Sequence, residues 1–340
     1  MWSPDIFLEK LYEQTIMEQP TATNNEAWKS GMKACLKKAL GEFPTSTPEL
    51  QPVILERVDM GDYYRMRVEL TSIDPLRLPV YVLIPKARQG ERRPAVLALH
   101  GHGYGSKEIV GLLPDGTESY SEPGIHKDMA VQLVLRGMVV LAPELVGFGD
   151  RRMANEQFTA ATDNSCFTIG SQLLLMGRTI AGLRVAECQR VLDYAVTLAE
   201  VDPRSMGCIG FSGGGLVAAF TSVMEERIRA TVLCGYTNTF KASIMSRRHC
   251  LDNYIPGILQ LAEMPELIGL MAPRSLFIES GIDDHLFPLG EVKRAIQRLG
   301  EIYKQLGAEE RLASDLFQGK HEISGMKSFD WLAQTLSHIE

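Results

Sequence analysis

The chain has 340 residues, with 35 basic and 42 acidic side chains, a formal net charge of −7 and 45% hydrophobic residues. These values are ordinary for a globular enzyme, and the length suits one large domain with appended segments. Phosphate binding needs a basic field that this composition lacks, so we expect no nucleic-acid partner. No apolar run approaches the roughly 20 residues that span a bilayer, so we expect no membrane association either.

The start of the chain and its cysteines bear on the cellular compartment. The first ten residues, MWSPDIFLEK, include acidic residues and no long apolar stretch, so we expect no signal peptide. In an unsecreted chain of this size, dispersed cysteines without a CxxC pair predict free thiols in a reducing, cytoplasmic compartment. The six cysteines are Cys35, Cys166, Cys188, Cys208, Cys234 and Cys250.

Apolar residues at helical spacing predict two N-terminal helices within residues 1 to about 45, separated by the polar run TATNNE. The proline-containing segment FPTSTPEL follows. We therefore expect a helical extension over 1–48 and a catalytic domain over 49–340. The extension is expected to pack on that domain or on a second copy of the chain, which leaves homo-oligomerisation open.

The rest of the chain has the pattern of an α/β protein. Four β-rich runs (VILERV, YRMRVEL, PVYVLIP and PAVLALH) come first, and their close spacing, with a turn at MGDY, predicts antiparallel pairing. Beyond residue 125, helices at 125–137, 172–200, 214–224 and 292–307 alternate with strands at 138–145, 206–211, 230–236, 274–280 and 311–317. This alternation predicts a mostly parallel, doubly wound sheet.

Two segments fit this alternation poorly, 147–171 and 236–264. Both follow predicted strands. Because ligands bind beyond the carboxyl ends of the strands in an open α/β sheet, we expect these two insertions to line the site.

The segment GFSGG at 210–214 matches G-x-S-x-G and lies between a predicted strand and a helix of small residues. A sharp strand-to-helix turn projects a serine above the sheet, and flanking glycines tolerate the strain. A glycine-rich turn before a packed helix, without a catalytic role, could have the same sequence. The strand-turn-helix setting favours Ser212 as a nucleophile.

A base and an acid should follow such a serine in the order acid, then histidine. His321 follows the strand RLASDLF, where a loop would bring its imidazole over Ser212. Asp283 and Asp284 follow the preceding strand, and adjacent residues point in different directions, so only one of them can orient the histidine. The residues alone leave both aspartates open.

The segment LHGHG ends the strand PAVLALH, where a second oxyanion donor would lie. We expect the backbone N–H groups of His102 and Gly213 to form an oxyanion hole. Metal binding by His100 and His102 is the rival interpretation, but no carboxylate or cysteine motif accompanies the pair. We expect no metal and no cofactor.

Other residues are weaker candidates for the substrate pocket. Glu144, Asp150 and Arg151 follow a strand beside the expected pocket, where a salt-bridged loop is the better explanation for all three. Cys250 lacks the neighbours of a nucleophilic cysteine and is expected to be a packed thiol. The residues considered for the pocket are His100, Glu144, Phe211, His249, Cys250 and Tyr254.

With LHGHG, APELVGFGDR, IGFSGGG, APRSLFIESGIDDHLFP and GKHEIS in order, the chain resembles bacterial α/β-hydrolases of the dienelactone-hydrolase-like and acetyl-xylan-esterase-like branch over roughly residues 50 to 335. The branch places its acid in G-x-x-D-x-x-x-P. Here Gly281, Asp284 and Pro288 match, so the resemblance implies Asp284. The HC-x-x-NY-x-P segment also resembles this branch. Dienelactone hydrolases use a cysteine nucleophile, and Ser212 in its place favours ester hydrolysis.

The resemblance implies an α/β-hydrolase fold and a carboxylesterase that cleaves a small-molecule ester, such as an acetyl ester, without a cofactor. Two alternatives stay open at this point. One is a serine peptidase or amidase of the prolyl-oligopeptidase type, against which the missing propeller argues. The other is a noncatalytic scaffold of the same fold that binds a ligand.

Overall fold

The computed structural model describes residues 2–20, 25–43, 48–86 and 90–338. Parts of TATNNE and FPTSTPEL, which separate the predicted N-terminal elements, lie outside these ranges. The described strands form one sheet in the order β1-β2-β3-β5-β4-β6-β7-β8-β9. They are β1 (Val53–Asp59), β2 (Tyr63–Ile73), β3 (Leu76–Pro85), β4 (Arg93–Leu99), β5 (Val139–Pro143), β6 (Val201–Phe211), β7 (Ile228–Cys234), β8 (Ser275–Gly281) and β9 (Leu312–Phe317).

The sheet is mixed, as the spacing of the strands predicts, but the antiparallel pairing predicted for PAVLALH is wrong, because β4 pairs parallel with β5 and β6. β1, β2 and β3 pair antiparallel, and β3 also pairs antiparallel with β5. The pairings from β5 through β4 to β9 are all parallel. The carboxyl ends of β4, β6, β8 and β9 therefore lie at one edge of the sheet, where the candidate site residues follow them.

Helices cover both faces of the sheet. They are α1 (Asp5–Met17), α2 (Glu26–Leu40), α3 (Met129–Val134), α4 (Cys166–Leu175), α5 (Ile180–Ala195), α6 (Gly213–Met224), α7 (Ile258–Leu261), α8 (Met264–Gly269), α9 (Leu289–Gln305) and α10 (Ser328–Ser337). Successive side chains of a strand point to opposite faces. In β4, Leu97 and Leu99 belong to the core cluster on the side of α5 and α6, whereas Val96 and Ala98 belong to the cluster on the side of α3 and α10.

The single helix predicted over 172–200 is wrong, because the chain bends by 100° between α4 and α5. Gly177 adopts a φ of +69°, which ends α4. Thr179 then caps α5: its hydroxyl accepts from the Gly182 N–H at 2.9 Å and donates to the Leu40 carbonyl at 2.8 Å. An N-cap bond of this kind starts a new helix in a new direction.

Two further boundaries differ from the sequence prediction. The helix predicted over 125–137 is limited to α3, because Lys127 and Asp128 adopt left-handed φ values of 49° and 44°. The segment 147–171 is not irregular throughout, since α4 begins at Cys166 and two short 3₁₀ turns precede it.

The two N-terminal helices pack against the rest of the chain. Met32, Leu36 and Leu40 of α2 are buried in the main core, and Lys29 Nζ donates to the Ala272 carbonyl at 2.7 Å. α1 has no buried residue and is held by polar contacts, such as Tyr12 Oη to Glu263 Oε1 at 3.2 Å. Packing on a second copy of the chain stays a prediction.

No single helix among the described residues combines the length and apolar composition of a bilayer-crossing segment, and the bent pair α4–α5 meets these criteria only when its two helices are joined.

Candidate active site

Ser212 lies on the sharp turn between β6 and α6. Its backbone has φ 55° and ψ −118°, and its N–H donates to the Cys234 carbonyl at 2.9 Å. A non-glycine residue at positive φ is strained, and such strain is concentrated at functional sites. The strain is accommodated by small neighbours: a β-carbon on Gly214 would lie 2.2 Å from the Leu99 carbonyl oxygen. The turn therefore needs glycine beside the serine.

The loops after β8 and β9 bring an aspartate and a histidine to this turn. The Ile282 N–H donates to the Phe317 carbonyl and the Asp283 N–H to the Gly319 carbonyl, each at 2.9 Å, which joins the two loops. A β-carbon on Gly281 would lie 2.1 Å from the Lys320 carbonyl oxygen, so only glycine allows this approach.

Ser212, His321 and Asp284 form a continuous hydrogen-bonded chain. His321 Nε2 lies 2.8 Å from Ser212 Oγ, and His321 Nδ1 lies 2.7 Å from Asp284 Oδ2. The other carboxylate oxygen of Asp284 accepts the N–H groups of Leu286 and Phe287 at 2.8 and 3.2 Å, which holds the carboxylate in place. The structure thus brings together the serine, the histidine and one of the two aspartates.

Asp283 points away from the histidine, and its carboxylate accepts a hydrogen bond from the side chain of Gln318.

The imidazole of His321 is held between two aromatic rings. Its centroid lies 5.7 Å from that of Phe287 in a stacked arrangement and 4.8 Å from that of Phe211. The stacked contact with Phe287 and the tilted contact with Phe211 restrict the orientation of the ring that reaches Ser212.

The loop after β4 packs directly on the serine. A β-carbon on Gly101 would lie 3.2 Å from Cβ of Ser212. The Gly101 N–H is already used, because it donates to His126 Nε2 at 3.0 Å. The next N–H along this loop is that of His102, and Gly213 begins α6, where N–H groups have no partner within the helix.

A buried chain of polar contacts behind the loop after β4 fixes the conformation of that loop. Sequence analysis did not predict these contacts. His126 Nδ1 lies 3.0 Å from Glu108 Oε1, and Glu108 Oε2 accepts the Tyr104 N–H at 3.1 Å. Burial acts to raise the pKa of Glu108, but the contact with His126 outweighs it and lowers that pKa. The role of His126 at this position is structural.

A cavity of about 620 Å³ opens over Ser212. Both insertions contribute to its wall, 147–171 through Asn164 and Phe167 and 236–264 through six residues between positions 248 and 254. The lining residues are His102, Ile125, Asn164, Phe167, Phe211, Ser212, Gly213, Arg248, His249, Cys250, Leu251, Asn253, Tyr254, Leu286, Phe287 and His321.

Four of the six residues considered for the pocket line this cavity: Phe211, His249, Cys250 and Tyr254. Burial lowers the pKa of His249 and likewise that of His102, which favours the neutral imidazole in both.

The prediction that His100 and Glu144 line the pocket is wrong. Both side chains are fully buried behind the loop after β4, and neither lines the cavity. Glu144 accepts the N–H and the hydroxyl of Ser106, each at 2.9 Å, and His100 Nε2 accepts the Leu145 N–H at 3.1 Å.

Asp150 and Arg151 form ion pairs that hold their loop, which agrees with the interpretation of this segment as a salt-bridged loop. Asp150 contacts Arg67 and Lys107, and Arg151 forms two bonds of 2.6 Å with the buried carboxylate of Glu187.

Two further buried carboxylates support the site and were not predicted. Glu279 of β8 accepts the Ser324 N–H at 2.9 Å and the Ser328 hydroxyl at 2.7 Å, just after His321, and burial raises its pKa. Asp252 pairs with Arg184 at 2.7 Å, and both side chains are fully buried. An arginine inside the apolar run IAGLRVAEC of α5 was the available signal for this second pair.

Cys166 and Cys250 lie next to this ion pair. Their mutual hydrogen bond lowers the pKa of Cys166 and raises that of Cys250. All six cysteines are free thiols.

The nine-stranded sheet and the serine turn at the end of β6 define an α/β-hydrolase fold, which confirms the predicted fold class and resemblance. The chain belongs to the Abhydrolase family, which it matches over residues 6–301. Among curated proteins, the chain is 28% identical over 284 residues to the candidate hydrolase YtaP of Bacillus subtilis (strain 168), covering 82% of this chain and 90% of YtaP.

Solved structures share the fold. A candidate acetyl xylan esterase from Bacteroides fragilis NCTC 9343 superposes with a TM-score of 0.77 at 17% identity, covering 93% of this chain and 83% of that one. A glucuronoyl esterase from Solibacter usitatus gives a TM-score of 0.65 at 14% identity and covers 91% of each chain.

Proposed function

We propose that this protein is a serine carboxylesterase that cleaves a small-molecule ester through an acyl-enzyme. The observation that carries the proposal is the hydrogen-bonded chain from Ser212 Oγ through His321 to Asp284, with distances of 2.8 and 2.7 Å. Membership of a hydrolase family and structural likeness to esterases support the same chemistry. A noncatalytic scaffold would have no need of this arrangement under an open cavity.

In the proposed mechanism, Ser212 Oγ attacks the ester carbonyl while His321 Nε2 takes its proton. Asp284 holds the proton on Nδ1 and stabilises the imidazolium that forms. The backbone N–H groups of His102 and Gly213 bind the oxyanion, a contribution worth several kcal/mol for two such donors. His321 then protonates the leaving alcohol, and water hydrolyses the acyl-enzyme by the same steps in reverse.

The cavity wall suggests the kind of substrate. Most of it is apolar, with Ile125, Phe167 and Leu286 among its residues. Arg248 is the only arginine or lysine in the described wall, and no aspartate or glutamate lines it. We propose a small ester, such as an acetyl ester, whose remaining part carries an apolar group, a negative charge near Arg248, or both.

Hydrolysis of p-nitrophenyl acetate, butyrate and octanoate tests the proposal. Wild type should turn over the shorter esters, Ser212→Ala and Asp284→Asn should lose at least a hundredfold in kcat, and Asp283→Asn should stay within a few-fold of wild type. The corresponding p-nitroanilides separate an esterase from a peptidase. Turnover by Ser212→Ala equal to that of wild type would overturn the proposal.

A further inference from the structure

Four side chains that can bind a metal converge beside the candidate active site: His102, Cys166, Cys250 and Asp252. A ring nitrogen, two sulfurs and a carboxylate oxygen all lie within 4.8 Å of one another. They come from three segments that are distant in sequence: the loop after β4, the first residue of α4 and the insertion 236–264. We propose that this cluster binds one zinc ion, contrary to the expectation from the sequence.

The ligand set suits zinc. Thiolate, imidazole and carboxylate are its usual protein ligands, with bonds of about 2.0–2.3 Å in a tetrahedral arrangement. Such bonds place the ligand atoms roughly 3.3–3.8 Å apart, so the longest spacing in the cluster, 4.8 Å, would need to contract by about 1–1.5 Å. Two sulfur ligands also favour zinc over magnesium or calcium, which prefer oxygen.

Within the described part of the chain, one ring nitrogen of His102 is unpaired. Its Nε2 is buried and has no hydrogen-bond partner among the described residues. Its ring packs edge-on against Phe148, with the centroids 5.1 Å apart, which fixes the plane of the imidazole. A buried ring nitrogen without a partner is costly, so this histidine is poised to accept a ligand that its surroundings do not otherwise provide.

Arg184 completes the charge balance of the cluster. Its guanidinium donates to Asp252 Oδ2 at 2.7 Å and to Cys166 Sγ at 3.0 Å, and it is anchored on the Val146 carbonyl at 2.7 Å. Two thiolates, one carboxylate, one guanidinium and one Zn²⁺ sum to zero charge. Outer donors of this kind orient zinc ligands and stabilise thiolates.

The proton balance of the binding step is simple. Zn²⁺ replaces the thiol protons of Cys166 and Cys250, so two S–H bonds break, two Zn–S bonds form and two protons leave to solvent. His102 binds as neutral imidazole, and Asp252 is already a carboxylate paired with Arg184. No electron is transferred. The ion can enter from the cavity, because His102 and Cys250 both line it.

Four protein ligands leave no open position, so the zinc would be structural and would take no part in ester cleavage. It would tie the loop that carries the His102 N–H to the wall of the cavity. This proposal does not depend on the proposed esterase activity, because its readout is metal binding.

Cobalt titration of the full-length protein, purified with reductant and stripped with a chelator, tests the site. Co²⁺ reports tetrahedral thiolate coordination through visible d–d bands and a sulfur-to-cobalt charge-transfer band. We expect these bands to saturate at one Co²⁺ per chain and to be displaced by one equivalent of Zn²⁺. In Cys166→Ser and Cys250→Ser the charge-transfer band should weaken and the affinity should fall at least tenfold. Cys35→Ser, which removes an exposed thiol, is the matched control and should bind as wild type does.

Three results would overturn the proposal. One is the absence of a charge-transfer band in wild type at excess Co²⁺, a result that needs no variant to fold. Another is an equal loss of binding in Cys35→Ser. The last is peptide mapping that finds a Cys166–Cys250 disulfide in protein kept under reductant, which would make the pair a redox unit instead.

Discussion

Replacing Glu144 by glutamine should destabilise the protein although the two side chains have the same shape. One carboxylate oxygen accepts the Ser106 N–H and the other accepts its hydroxyl, each at 2.9 Å. A glutamine replaces both charge-assisted bonds by neutral ones: its oxygen can accept the Ser106 N–H, and its NH₂ group then faces the Ser106 hydroxyl, which has to reverse from donor to acceptor. The amide cannot turn away, because β-carbons placed on Gly105 and Gly149 would lie 2.0 and 2.7 Å from these same oxygens.

Hydrogen bonds to charged groups contribute about 1.5–3 kcal/mol each, against about 0.5–1.5 kcal/mol for neutral ones, and two such bonds are weakened here. We therefore expect Glu144→Gln to lower the free energy of unfolding by about 2–3 kcal/mol. The loop after β4 should also loosen, so kcat should fall more than KM rises.

Urea unfolding followed by tryptophan fluorescence measures this loss as a shift of the midpoint at constant slope. Asp150→Asn is the control, because the Asp150 side chain is 44% exposed in its ion pairs with Arg67 and Lys107. Pairs this exposed contribute at most about 1 kcal/mol. Equal midpoints for the two variants would refute the reasoning about Glu144.

Three other substitutions test separate parts of the structure. Thr179→Ala removes the cap of α5 and should cost about 1–2 kcal/mol in urea unfolding, while Thr179→Ser should retain most of it; no difference between the two would contradict the cap. Arg248→Ala should raise KM for 4-carboxyphenyl acetate at least fivefold and leave KM for phenyl acetate unchanged, whereas equal changes would remove Arg248 from substrate recognition. Burial raises the pKa of Glu279 above its ordinary value of 4.5. The stability that the protonated Glu279 side chain contributes is therefore fully present below pH 4.5, and it is lost as the pH rises through the folded-state pKa. The stability of wild type relative to Glu279→Gln should accordingly be greater at about pH 4.5 than at about pH 7.5, and an opposite trend in urea unfolding would contradict it.

The sheet and the serine turn could be predicted because they rest on local patterns. The small residues of GFSGG permit a strained strand-to-helix turn, and the alternation of strands and helices is visible in the apolar spacing. Asp284 could not be chosen over Asp283 from the residues alone. That choice depends on how the loops after β8 and β9 join, as in the Asp283 N–H to Gly319 carbonyl bond.

Other features depend on contacts between distant residues. The break between α4 and α5 was missed because a helix can tolerate one glycine, and only the contact of Thr179 with Leu40 shows why a new helix starts there. His100 and Glu144 were placed at the pocket because a strand end does not reveal burial. Arg184 and Asp252 are 68 residues apart, so nothing local joins them.

Covalent labelling with a fluorophosphonate tests the central claim most directly, because this probe reacts only with an activated serine. Intact-mass spectrometry should find one adduct per chain, mapped to Ser212, on wild type. The adduct should be absent from Ser212→Ala and strongly reduced in His321→Ala. A folded wild-type protein that gains no adduct, or gains one on another residue, would contradict the assignment of Ser212 as the nucleophile of a serine hydrolase.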